Sequence, residues 1–219
     1  MIMVKKLSML FFIVLSSIGL SAQTSAAEAK ALLEKASLKM KSFEDVSIAF
    51  SYEFSNSRVD PPIKRVEKGD IKLKGEQYRL NLMGVEQICD GKLLYSVLHE
   101  DEEVQKEQVK DDKGEAQGLN PTTILEVYKK GFSYKLGGTA KVGSKTIQYV
   151  ILKPTVSEEI DYITVGLVKG EDRLYSYEQR SKDGTITLFT ITSFEVNKKL
   201  AASLFQFNPK NYPGYYIPK

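Results

Sequence analysis

From Val46 to Val196 the apolar residues of this chain recur at every second position, in one short run after another, and that regularity decides most of what it can become. Val46, Ile48, Phe50, Tyr52 and Phe54 alternate with Ser47, Ala49, Ser51 and Glu53, the period that makes one face of a strand apolar and the other polar. Asp60-Pro61-Pro62 ends that run in a loop, and GDIKLKG and QYRLNLM resume the pattern through Ile71, Leu73, Tyr78, Leu80 and Leu82. Asp90-Gly91 and Asp183-Gly184 each stand between two apolar runs, a strong short-range hairpin signal. Glu102–Val109 is a polar strand suited to a sheet edge. FSYKL, KTIQYVILKP, IDYITVGLV, DRLYSYEQR and TITLFTITSFEV follow, and a final short run, LFQFNP, leads into YPGYYIPK.

The connections are of turn length and no strand–helix–strand alternation occurs, which predicts an antiparallel meander. A sheet of about ten or eleven strands tends to curl into a barrel or part of one. Two helices accompany it. Ser25 and Glu28 have capping-box spacing, followed by Ala29, Leu32, Leu33, Ala36 and Met40 at helical intervals, with Lys39 and Lys41 in the last turn. In mid-chain Asn120 is a good N-cap and Pro121 suits the first helical position. Ile124, Leu125 and Tyr128 share one face, and Gly131 fits the left-handed residue that ends a helix. A helix of about ten residues is marginal alone and must dock its apolar face. Flanked by the polar loop DDKGEAQG, it reads as a lid over the sheet. The expected fold is therefore mainly β with α (α+β): an incomplete antiparallel β-barrel with an N-terminal helix and a mid-chain lid helix.

The N-terminus carries its own signal. Lys5 and Lys6 precede the uncharged apolar run Leu7–Leu20, which has the length of a secretory leader core and is short for a membrane span. Small residues follow, so cleavage is expected after Ala22 or Ala26, giving residues 1–22 as signal peptide and 23–219 as a single soluble periplasmic domain. Of the net charge of +3, two units lie in that leader, leaving +1. A nearly neutral body offers no basic stripe to displace counterions from nucleic acid. Cys89 is the only cysteine, so the exported chain has no disulfide and relies on its core.

The sequence holds little chemistry. His99 is the only histidine and falls in a charged turn; Cys89 sits within an apolar strand. Glu100–Glu103 lacks the ligand spacing and turn glycine of a calcium loop. Gly137-Gly138 and Gly166 form no phosphate cradle. The chain reads as a binding protein and not an enzyme, with no cofactor and no metal. Strand parity assigns Phe50, Tyr52, Leu73, Leu80, Leu82 and Ile88 to an apolar cavity, under a lid of Ile124, Leu125 and Tyr128.

Taken in order, the helix, G-x-I-x-L-K, Y-R-L, the Glu86–Lys92 hairpin, Leu119-Asn120-Pro121, Lys153-Pro154, Asp183-Gly184-Thr185 and a closing F-x-F-x-P resemble the periplasmic outer-membrane lipoprotein carriers, the LolA-like family. That resemblance implies a half-barrel whose helices cover a cavity for lipoprotein acyl chains. It further implies a monomeric carrier, an inner-membrane lipoprotein-releasing ABC transporter as donor, and an outer-membrane receptor or the outer membrane itself as acceptor. The alternative use of such a half-barrel is a periplasmic lipid- or lipoprotein-binding sensor, or a generic apolar-ligand-binding protein. Many members place Arg-Pro after the strand matching Ile71–Lys74, and that arginine pins the lid. Here Lys74-Gly75 stands there instead, and Arg79 on the next strand is the candidate for a related lid contact.

Overall fold

The computed structural model describes residues 18–109, 129, 131–156 and 159–218. Helix α1 (Ile18–Lys41) precedes eleven strands: β1 (Val46–Asn56), β2 (Ile63–Lys74), β3 (Gln77–Leu82), β4 (Val85–Cys89), β5 (Leu93–Leu98), β6 (Glu103–Gln108), β7 (Phe132–Val142), β8 (Lys145–Pro154), β9 (Ile160–Val168), β10 (Arg173–Ser181) and β11 (Thr185–Val196). All belong to one sheet in the order β6-β5-β4-β3-β2-β1-β11-β10-β9-β8-β7, antiparallel throughout. Its ends, β6 and β7, do not pair with each other, so the barrel is open.

The turn residues act as their chemistry dictates. Gly91 and Gly184 take φ of 95° and 93° in the two Asp-Gly hairpins. Asp90 Oδ1 accepts the backbone N–H groups of Lys92 and Leu93, fixing the first of them. Gly131 has φ of 80° immediately before β7, the left-handed conformation expected of it. The polar strand β6 lies at the sheet edge, as its composition predicts.

The main core lies between α1 and one face of the sheet. Ala29, Leu33, Ala36 and Met40 of the helix meet Val46, Ile48, Phe50, Ile71, Leu73, Val150, Leu152, Ile163, Val165, Tyr177 and Phe189. The helix itself rests on β7 and β10. A smaller cluster occupies the opposite face of the sheet, where Ile88, Val97 and Val104 are covered by Tyr212, with Tyr95, Phe207, Tyr215 and Ile217 around it.

Three local features are decided by the structure. Helix α1 runs through Ser25 and does not begin there, so the capping box does not form; the Ser25 hydroxyl instead accepts the backbone N–H of Leu136 at 3.2 Å. LFQFNP is not a strand. Ala202–Phe205 and Pro209–Asn211 are short 3₁₀ turns, and Asn208 caps the second by accepting the N–H of Lys210. With Pro209 lacking a donor and Pro213-Gly214 breaking the pattern again, the tail cannot hold a ladder and wraps the outer face of the sheet. Finally, β2 begins at Ile63, ahead of GDIKLKG, because IKRVEK is extended but exposed on both faces and shows no alternation.

Candidate functional site

Cross-strand register decides which side chains share a face. Phe50 lies opposite Gly69 and Ile191, Tyr52 opposite Glu67 and Phe189, Ile71 opposite Leu80, and Leu73 opposite Tyr78. Directly opposed residues in an antiparallel pair point to the same side. Phe50, Tyr52, Leu73, Leu80 and Leu82 therefore all belong to the face that carries α1. Phe50 packs against Phe189 with ring centroids 4.5 Å apart and planes inclined at 38°, at the seam where the first and last strands meet.

Ile88 is on the other side. It pairs with Arg79 and Tyr95, whereas Leu80 pairs with Gln87, so Ile88 belongs to the outer cluster at 1% exposure. The whole VEQIC strand is apolar or buried at Val85, Glu86, Ile88 and Cys89, and buried on both sides it gives parity nothing to read. Arg79 also points outward. Its Nε donates to Glu86 Oε1 at 2.6 Å and its Nη1 to the Leu204 carbonyl, so its guanidinium holds the C-terminal tail. Ile124, Leu125 and Tyr128 lie outside the described residues. Lys74 donates to the Leu200 carbonyl at 2.7 Å and anchors the chain leaving β11.

Five strand residues beyond those assigned by parity, with three at the sheet's far edge, complete the apolar face. Val150 and Leu152 on β8, Ile163 and Val165 on β9, and Tyr177 on β10 are buried there, joined by half-buried Phe132, Tyr134 and Leu136 on β7. Their signal was present in the alternation of KTIQYVILKP and FSYKL. The polar groups on this face are few and satisfied: Tyr177 donates to Gln179 Oε1 at 3.0 Å, and burial pushes its phenol up to about 12. Burial likewise raises the Tyr78 phenol, with the nearby Cys89 and Glu107 adding to it. Both stay neutral hydroxyls at physiological pH. The face is deep where α1 covers it and shallower at its margins, where Tyr52, Leu82, Phe132 and Tyr134 are only partly buried.

His99 is exposed in the β5–β6 turn, its Nδ1 3.0 Å from the Tyr215 hydroxyl. Cys89 is buried. Among the described residues no group of three or more His, Cys, Asp or Glu side chains could hold a metal ion, and no helix is long and apolar enough to cross a membrane.

A further opening lies at the rim. The β3–β4 hairpin stops at Met83-Gly84 while β2 runs on beyond it, leaving a notch of about 320 Å³ lined by Lys68, Gly69, Asp70, Asn81, Leu82, Val85 and His99 among others.

No family model and no curated protein matches the sequence. Solved structures do match in fold. An uncharacterized conserved protein from Thermus thermophilus superposes with a TM-score of 0.54 at 9% identity, covering 84% of this chain and 96% of that one. The lipoprotein LppX of Mycobacterium tuberculosis gives 0.52 at 11% identity, over 81% of this chain and 100% of that one. A LolA superfamily protein from Nitrosomonas europaea gives 0.43 at 9% identity, over 82% of this chain and 97% of that one.

Proposed function

We propose, for a chain with the LolA-like fold, that the helix-bearing face of the open sheet takes up the acyl chains of lipoproteins in the periplasm and carries them from the inner to the outer membrane. The observation that supports this most is the margin of the apolar face. Tyr52 and Leu82 on one side and Phe132, Tyr134 and Leu136 on the other are left partly exposed around the core, all of them large apolar side chains on one face. Such a margin gives an apolar chain a surface to lie on.

The energetics suit a carrier. Burying a methylene is worth about 0.8 kcal/mol, so one acyl chain left in water costs on the order of 10 kcal/mol and must be shielded in transit. Release then requires a cover that closes weakly, the role proposed for Ile124, Leu125 and Tyr128. Transfer in one direction requires an energised donor, an inner-membrane ABC transporter, and an acceptor with higher affinity, an outer-membrane receptor or the membrane itself.

The test is to incubate the purified protein with spheroplasts that retain a labelled lipoprotein in their inner membrane. A soluble complex of protein and lipoprotein is expected in the supernatant, and Leu82→Asp is expected to reduce it severalfold while leaving the circular dichroism spectrum unchanged. Recovery of no lipoprotein by the native protein would sink the carrier reading.

A further inference from the structure

Strand β2 is twelve residues long and pairs with β1 along its length, from Ile63 opposite Asn56 to Leu73 opposite Val46. On its other side it pairs with β3 only from Asp70 to Lys74. Among the described residues, 63–69 therefore have no partner strand on that side, an open edge in the middle of the sheet's width, and Ile63 through Lys68 are all exposed. Exposed strand edges are templates for another extended chain, since every second residue holds both a donor and an acceptor outward.

The notch sits at the inner end of this edge. Gly69 and Leu82 line it, and both belong to the apolar face: Leu82 packs against the main core, and the Phe50 ring occupies the place where a Gly69 side chain would stand. A chain lying on the apolar face thus has a direct way out beside β2.

The edge is basic. Lys64, Arg65 and Lys68 stand against Glu67, and Lys64 is already paired with Glu53 at 3.2 Å. Among the described residues Arg65 and Lys68 have no ionic partner. Two copies of this strand would each bring three basic residues against one acidic, a net like charge that disfavours pairing of the protein with itself, while an acidic strand is attracted. Ile63 and Val66, at 39% and 54% exposure, add apolar contact between the charges.

We propose that the free edge of β2 binds the polypeptide part of an acylated cargo as an added strand, selecting an extended acidic segment next to the acylated residue. This rests on the carrier reading and narrows its substrate to lipid-modified polypeptide over free lipid.

Three probes test it: palmitic acid, an N-palmitoyl hexapeptide of alternating Glu and Val, and the same palmitoyl peptide with every backbone amide N-methylated. The unmethylated palmitoyl peptide is expected to bind about tenfold tighter than either of the others, the scale of two net backbone hydrogen bonds. It alone should slow amide exchange across Lys64–Lys68, and Arg65→Glu with Lys68→Glu should erase the difference without weakening palmitic acid. Equal affinity of the three probes, with no added protection on β2, would overturn the edge site and leave the carrier reading intact. Protection that rises with protein concentration without any probe would mean that a second copy occupies the edge, and would overturn it too. Failure of palmitic acid and both peptides to bind would remove the carrier reading and this inference together.

Discussion

Arg79 and Glu86 face each other on the outside of the sheet, Nε to Oε1 at 2.6 Å, and the second carboxylate oxygen of Glu86 accepts the Tyr212 hydroxyl at 2.6 Å. Glu86 is buried, and without both partners its charge would lie under the aromatic tail unsatisfied. The contact raises the Tyr212 phenol, through burial first and through the Glu86 carboxylate after it. Tyr212→Phe removes only the donor. A loss of about 2 kcal/mol in urea unfolding is expected, the scale of a hydrogen bond to a charged group. A change under about 0.5 kcal/mol would mean the tail is not held through this contact.

Gly69 is a glycine for reasons of space. An added Cβ would stand 2.4 Å from Cζ of Phe50 and 2.8 Å from the Asn81 carbonyl oxygen, and neither the buried ring nor the backbone can step aside. Gly69→Ala should cost about 1–3 kcal/mol as overpacking. Combining it with Phe50→Leu should cost less than the sum of the two single changes, because the ring is the main obstacle. Additive losses in the double variant would contradict that assignment.

Asp45 ties the end of α1 to the end of β11. Its carboxylate accepts the N–H groups of Lys198 at 2.7 Å and Leu200 at 3.0 Å. Burial alone would raise its pKa, but the N–H groups of Leu200, Lys198 and Lys199 and the charge of Lys74 outweigh that and hold it below the ordinary value of 3.8. A folded pKa below the unfolded one stabilises the fold above that ordinary value, and the gain is lost as pH falls through the lower folded value. Asp45→Asn should therefore be less stable than the native protein at pH 7, with the gap closing as pH drops below about 4. A gap independent of pH would show that the charge is not what matters.

Cys89 is buried among apolar neighbours, and burial pushes its thiol pKa up; the N–H of Gly91 opposes this, while Asp90 and Glu76 reinforce it. Labelling by a disulfide reagent at pH 8 should be roughly a hundredfold slower in the folded protein than in urea, since it waits on local opening. Labelling at the unfolded rate would place Cys89 at the surface.

The strand succession was readable because one face of most strands is wet. The two Asp-Gly hairpins, the edge position of β6 and the antiparallel order all followed from alternation and turn chemistry. Where both faces are covered, as at Ile88 and Cys89, or both are bare, as at Ile63–Lys68, alternation disappears and with it the means to assign a side. Arg79 was legible as a charged residue, but its side followed only from register, and the Leu204 carbonyl it holds lies far along the chain, beyond the last strand. Capping residues mislead for a related reason: Ser25 has the chemistry of a helix start, and tertiary context spends that hydroxyl on Leu136 instead.

The pairing of β1 with β11 places Val46 opposite Val196. Each half of the sheet, β1 to β6 and β7 to β11, is a run of neighbouring hairpins that can form as its residues become available, but the seam between the halves needs both extremes of the strand region at once. A ribosome delivering this chain from its N-terminus therefore holds β1 with one side unpaired until β11 emerges. The apolar face that carries α1 is assembled across that same seam, by Phe50 and Phe189, so it comes into being only once β11 has joined β1.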